Sequence, residues 1–202
     1  MSILVSFEGP DAVGKETQAK MLCNYYNLNN IRAVYYEFPL NDSGVMLSSV
    51  TFKSIKKMLT SGFANKYPNL FQAVQFMNKF FFNALTLPKL MNAYDVIILD
   101  RWSASVLVYG YASNVNKKLA LKMFTSLRHA DMTVILNGSS FNKDNKDSYE
   151  KDNELQTRVK KYYTEYQNDY NSIRNILNLS PNQDIQKIHK TIIDYIDIKT
   201  TR

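Results

Sequence analysis

Cysteine is nearly absent from this 202-residue chain: Cys23 stands alone, so no intramolecular disulfide can form and the composition suits a reducing compartment. The two histidines, His129 and His189, sit in helical contexts without a ligand pattern and are assigned no chemistry. No apolar run approaches the ~20 residues that cross a bilayer, and the opening MSILVSF meets Glu8 too soon for the apolar region of a signal peptide. The expectation is a soluble, cytoplasmic protein with no membrane partner. Arginine is scarce too: six are spread between Arg32 and Arg202, and the formal charge of +7 comes mostly from dispersed lysines. The densest basic group, Lys53, Lys56 and Lys57, has the spacing of a solvated helix face rather than of a nucleic-acid stripe. Nucleic acid is therefore not expected as a partner, and attraction to small phosphorylated ligands accounts for the charge equally well.

The apolar content of 45% and charged content of 21% are those of a globular chain long enough for a substantial core. Short apolar runs alternate with helical patterns. ILVSF near the N-terminus, RAVYYEF (Arg32–Phe38), DVIILD (Asp95–Asp100), MTVIL (Met132–Leu136) and NILNL (Asn175–Leu179) read as strands. Pro39 and the turn-forming Asn41, Asp42, Ser43 and Gly44 end the second of them. Ala19, Leu22 and Cys23 recur at helical spacing after Lys15, and further helices are expected at Lys117–His129, Asp152–Ile173 and Gln183–Ile196. A long helix is expected from Pro68 to Asn92, with Leu70, Phe71, Val74, Met77, Phe81 and Leu85 near one side and a kink or end at Pro88. Such alternation predicts an α/β fold in three layers, with a central, mostly parallel five-stranded sheet flanked by helices. No linker or repeat divides the chain, so one domain is expected over residues 1–202, with the polar stretch Asn137–Lys151 as a mobile loop.

The segment FEGPDAVGKETQ (Phe7–Gln18) follows the first strand and opens the first helix. It has the Gly-x-x-x-x-Gly-Lys spacing of a phosphate-cradling loop, and this context supports it. Gly9 and Gly14 let the chain turn so that successive N–H groups of the loop face inward, while Lys15 and the helix N-terminus add positive charge. The next residue breaks the pattern, for Glu16 stands where a hydroxyl normally holds magnesium. Two like charges ~4 Å apart repel by ~4 kcal/mol at an effective dielectric of ~20, so a carboxylate facing bare triphosphate is costly. Magnesium reverses that sign, because carboxylate oxygen is a hard ligand. Either Glu16 reaches the metal, directly or through water, or it swings outward and leaves water in the hydroxyl's place. Thr17 cannot substitute, since the next helical position points about 100° away.

Together with this loop, four later segments resemble the thymidylate kinases, a branch of the P-loop nucleoside monophosphate kinases. These are Phe38–Pro39 after the second strand, NKF (Asn78–Phe80), DRWSASVLVY (Asp100–Tyr109) and DSYEKDNELQTRV, with NLSPNQDIQKIH resembling the last strand and the turn near adenine. The resemblance runs in order along almost the whole chain. It implies a P-loop kinase domain with a lid at about 137–151, and transfer of the ATP γ-phosphoryl group to dTMP or a related deoxypyrimidine monophosphate for dTTP synthesis. It further implies that Gly9, Pro10, Asp11, Ala12, Val13, Gly14, Lys15, Glu16 and Thr17 bind ATP, Thr17 reaching the α-phosphate. Lys15, Asp100 and Arg101 would be catalytic, with Asp100 and Glu16 toward Mg2+ and Arg101 bridging the two phosphates. Asp11, Phe38, Pro39, Phe76, Lys79, Arg101, Ser105 and Tyr109 would bind the acceptor, Asp11 taking its 3′-hydroxyl. A homodimer paired through long helices is also implied. Read without the family, Asp100 and Arg101 could instead be a strand-end salt bridge, and Tyr109 could be packing.

The departures concern arginine. The loop offers Ala12 and Val13, the lid segment has Ser148, and Asn41 stands where some members place an arginine on the acceptor phosphate. An arginine on the transferring group is worth ~10³–10⁵ in rate, so Lys143, Lys146 and Lys151 are the expected lid cations. Lys79 replaces an arginine that meets the base, and Gly110 stands where glutamine is common, which leaves dUMP or a modified pyrimidine open as acceptor. The alternative to an active kinase is a catalytically weak nucleotide-binding homologue with a regulatory role.

Overall fold

The computed structural model describes residues 2–41, 46–138, 152–171 and 174–200. The five expected strands all form: β1 (Ile3–Glu8), β2 (Ala33–Glu37), β3 (Val96–Asp100), β4 (Met132–Leu136) and β5 (Asn175–Leu179). They make one sheet in the order β2-β3-β1-β4-β5, and every pairing is parallel. A parallel sheet needs both faces covered, and the near-continuous apolar sequences of β3 and β4 are buried at every position. Alternate residues divide between two cores. Leu4, Ile97, Leu99 and Ile135 face one helical layer, while Val5, Phe7, Ile98 and Val134 face the other.

The second layer is small. It comprises α1 (Lys15–Leu28) and α9 (Ile185–Thr200), which bring Ala19, Leu22, Ile188, Ile192 and Ile196 onto the sheet. The opposite layer holds α2 (Met46–Thr60), α3 (Phe63–Lys66), α4 (Pro68–Phe81), α5 (Leu87–Ala93), α6 (Ser103–Ala112), α7 (Lys117–Thr125) and α8 (Asn153–Tyr170). No helix among the described residues is long and apolar enough to cross a membrane.

The long helix expected from Pro68 is interrupted. Pro68 occupies the first turn of α4 as anticipated, but residues Phe82–Thr86 widen into a π turn before α5, in which Leu87 N–H donates to the Phe82 carbonyl. Pro88 in the first turn of α5 has no N–H to give and its ring crowds the preceding turn, so the wider turn absorbs the conflict. The expected apolar side is only partly covered. Phe71 is fully buried, whereas Leu70, Met77 and Leu85 are about half exposed. Phe82 leaves the other phenylalanines and packs with Phe38 and Trp102 in the core.

The first glycine of the loop is required by the sheet itself. Gly9 has φ +141°, and a Cβ there would stand 2.1 Å from the Leu136 carbonyl oxygen at the end of β4. Gly62 also has positive φ, +69°, but nothing lies within 4 Å of its missing Cβ. A left-handed non-glycine backbone costs about 1–2 kcal/mol, so Gly62→Ala should lose about that much in denaturant unfolding. Gly9→Ala should lose considerably more, because the clash adds to the strain; equal losses would show that the loop can move off β4.

Candidate active site

The C-terminal ends of β1, β2 and β3 lie side by side, with Glu37 in register with Asp100 and Phe7 in register with Asp100 from the other flank. Ligand sites in open parallel sheets gather at this edge. The chain then does something unusual after β3. Arg101 N–H still donates to the Phe7 carbonyl at 2.9 Å, extending the pairing, but its backbone is left-handed at φ 67°. Such a conformation in a bulky residue is strained. The turn throws the guanidinium back over the phosphate loop, where it donates to the Gly9 carbonyl (3.2 Å), to the Tyr109 hydroxyl oxygen (3.0 Å) and to Asp11.

Beneath it, Glu8 is fully buried and anchors the start of α6. It accepts from Trp102 N–H at 2.9 Å, from the Ser105 hydroxyl and from Tyr163 at 3.2 Å. Burial raises its carboxyl above the usual range, against the opposing effect of Ser105 and Trp102. Asp11 collects three donors: Arg101, Gln156 Nε2 at 2.7 Å and Tyr109 at 3.2 Å. Burial alone would raise Asp11, but Arg101, Lys15 and these hydrogen bonds hold it below the ordinary value.

Lys15 lies against the loop, donating to the Pro10 carbonyl. Desolvation, with Arg101 adding repulsion, brings its ammonium down to about 8. Asp100 is 4% exposed, and its Oδ1 has no hydrogen-bond partner. Desolvation raises its carboxyl, with Lys15 and Arg101 opposing. Glu16 takes the outward course, in an exposed ion pair with Lys20 one turn on. Among the described residues no three acidic, cysteine or histidine side chains already form a metal-holding group. The fit for a metal is nonetheless real, because Asp100 presents an unpartnered buried carboxylate oxygen to the loop cavity.

Two cavities meet here. One, of about 250 Å³, is lined by Asp11 through Thr17 with Glu37, Asp100 and Arg101. It takes in the anticipated ATP residues except Gly9 and Pro10, which form the loop's inner wall. The other, of about 190 Å³, brings together all eight anticipated acceptor residues: Asp11, Phe38, Pro39, Phe76, Lys79, Arg101, Ser105 and Tyr109. Asn78 fixes the wall that carries Phe38 and Pro39, accepting from Leu40 N–H (2.8 Å) and donating to the Leu40 carbonyl (3.0 Å). Lys79 is buried with its ammonium 5.2 Å from the centre of the Phe38 ring. Desolvation, assisted by Arg101, lowers it to about 8. A third, apolar cavity between Val13, Thr17, Leu136, Pro181 and Ile188 opens beside the loop.

Four lining or bridging residues were not singled out from sequence. Glu37 and the pair Gln72 and Gln75 line the second cavity, and Gln156 ties α8 to Asp11. Gln156 lay inside a matched segment, which was its signal; Glu37 gave none beyond ending a strand. Lys143, Lys146, Lys151 and Ser148 lie outside the described residues, as do Asp42–Gly44 of the expected turn.

A family model described as thymidylate kinase matches residues 7–192. Among solved structures, the thymidylate kinase of Ehrlichia chaffeensis aligns with a TM-score of 0.71 at 20% identity, over 97% of this chain and 98% of that one. The thymidylate kinase of Candida albicans aligns with a TM-score of 0.75 at 21% identity, over 98% and 92% respectively. No curated protein sequence gives a match. At such identity the structures establish the fold, that of the P-loop nucleoside monophosphate kinases. With the family match spanning nearly its whole length, the chain belongs to the thymidylate kinase family.

Proposed function

We propose that the protein is an ATP-dependent kinase, transferring the γ-phosphoryl group to dTMP or a related deoxypyrimidine monophosphate and so serving dTTP synthesis in the cytoplasm. The observation that carries this reading is the shared wall: Asp11, Glu37 and Arg101 line both cavities, so a donor in one and an acceptor in the other would meet at Arg101. In phosphoryl transfer the protein's part is alignment and neutralisation of charge. Lys15 and the loop amides would hold the donor phosphates, and the apolar cavity beside Thr17 would take the donor base.

On the acceptor side, an ionised carboxylate offers about four lone-pair sites, and Asp11 has three donors. A sugar 3′-hydroxyl would fill the remaining site. Lys79 would face the base as a point charge, without the planar fork of an arginine. When bound, Mg2+ spreads the charge on the β- and γ-phosphoryl oxygens, and Asp100 would hold it, with Glu16 able to join only by leaving Lys20. A homologue that merely bound nucleotide would have little use for so furnished an acceptor cavity.

We read the chain as one kinase domain over residues 1–202, with Lys143, Lys146 and Lys151 as lid cations over residues 137–151. Leu70, Met77, Phe80 and Leu85, exposed along α4 and the π turn, support pairing of two copies through this face. Light scattering should then give twice the chain mass, and Met77→Lys should halve it.

Coupled measurement of ADP release with a panel of deoxynucleoside monophosphates should show turnover highest with a pyrimidine of the dTMP type. Lys15→Ala should reduce it by at least ~10³-fold, the scale of a lost charge on the transferring group. Undiminished turnover would remove Lys15 from the chemistry.

The two buried lysines give a pH signature. Each must be protonated to meet an anion or carbonyl, and each loses its proton in the free protein near 8. Affinity for ATP and for the acceptor should therefore be full below that pH and fall as pH rises through it. Lys79→Arg cannot deprotonate, so titration calorimetry should find its acceptor affinity flat on the alkaline side while the ATP limb persists.

A further inference from the structure

Four carboxylates, Asp11, Glu16, Glu37 and Asp100, line the loop cavity against two cations, Lys15 and Arg101. That is a poor balance for a cleft meant for a polyphosphate. Two of the carboxylates are already matched, Asp11 by Arg101 and Glu16 by Lys20. Glu37 and Asp100 remain without an ion pair, Asp100 feeling mainly Lys15 and Arg101, and Glu37 feeling Lys20 and Arg101. They end adjacent parallel strands in direct register, about 4.8 Å apart at the backbone, and so project to the same side. Phe38 N–H donates to the Asp100 carbonyl at 3.0 Å and locks that register at the last possible step.

Two carboxylates on the same side of the sheet, Asp100 buried and Glu37 exposed, repel unless something positive lies between them. Burial and then the Asp100 charge raise Glu37, while at Asp100 burial raises the carboxyl and Glu16 and Asp11 add to it. The unpartnered Oδ1 of Asp100 is the independent sign that a ligand belongs here. Magnesium is ordinarily held by one or two carboxylates plus substrate phosphates and water, not by a complete protein cage. This agrees with the lack of a preformed cluster of three.

We propose that Glu37 is a second carboxylate for the divalent cation that arrives with the nucleotide, acting jointly with Asp100 at the junction of the two cavities. The inference rests on the kinase reading above and adds a residue to it. Because Glu37 lines the acceptor cavity as well, the cation is placed within reach of both nucleotides. It supplies positive charge at the place where the chain lacks a loop arginine.

The test is titration of Mn2+, followed by electron paramagnetic resonance, into the protein with the β,γ-imido analogue of ATP, alongside melting midpoints without ligand. Glu37 is exposed at the end of an edge strand, so Glu37→Gln should melt like the parent. Its Mn2+ affinity should fall about 10- to 100-fold, the range for loss of a supporting ligand, as should that of Asp100→Asn. Glu37→Asp, which retains a carboxylate, should recover part of the loss. If Glu37→Gln leaves Mn2+ binding unchanged or tightens it while Asp100→Asn weakens it, Glu37 is only a repulsive charge and the inference fails. If the parent protein takes up neither Mn2+ nor the nucleotide analogue, the kinase reading itself falls, and the inference with it.

Discussion

The guanidinium of Arg101, turned back across the sheet edge and held on Asp11, is the contact around which this molecule is arranged. Its side chain and that of Asp11 are 19% and 18% exposed, so the pair is largely out of water. Breaking such a pair from one side leaves an uncompensated charge and costs about 3–5 kcal/mol. The backbone under it is strained as well. What secures the strained turn is the buried carboxylate of Glu8, which fastens the Trp102 amide and, through Ser105 and Tyr163, ties β1 to α6 and α8. That carboxylate braces the turn from below while Asp11, Tyr109 and the Gly9 carbonyl hold the guanidinium above. Fold and site thus share one polar network.

The same network explains how a chain so poor in arginine can still present positive charge. Lys15 and Lys79 are buried at opposite ends of the two cavities, and both are held at a reduced basicity by desolvation. A compact ammonium suits such a place only when anions or lone pairs come to meet it. The free site is therefore electrostatically unfinished, with Lys15 and Lys79 less basic and Glu37 and Asp100 less acidic than in water, while Asp11 on Arg101 is already settled. Ligands that bring phosphate and metal together relieve both imbalances at once, whereas either alone relieves only one.

Much of this was legible in the sequence. Buried parallel strands announce themselves as short apolar runs, and all five were found; the loop motif fixed the site to one end of the sheet. The break expected at Pro88 falls just before it, because the proline reshapes the hydrogen-bond ladder of the preceding turn while the helix itself resumes through Pro88. Leu70, Met77 and Leu85 share the expected side of the helix, but that side is only partly covered, and spacing alone does not say what covers it. Sequence admits Glu16 toward metal or toward solvent; in the structure it pairs with Lys20, an (i, i+4) partner, at the margin of the loop cavity. Glu37 stayed silent because its meaning lies in register with Asp100, a pairing across strands distant in sequence. Gln156 reaches Asp11 across 145 positions, and no local pattern encodes such a contact.

Trp102 is the only tryptophan in the chain and is fully enclosed, packed tilted against Phe38 and edge-on to Phe82, with its indole N–H on the Arg128 carbonyl at 2.7 Å. It follows Arg101 directly and packs on the residue that precedes Pro39. The molecule therefore carries a single intrinsic fluorophore in the core immediately behind Arg101 and Phe38, both of which line the cavities. Its emission, free of any competing indole, reports on the packing that supports them.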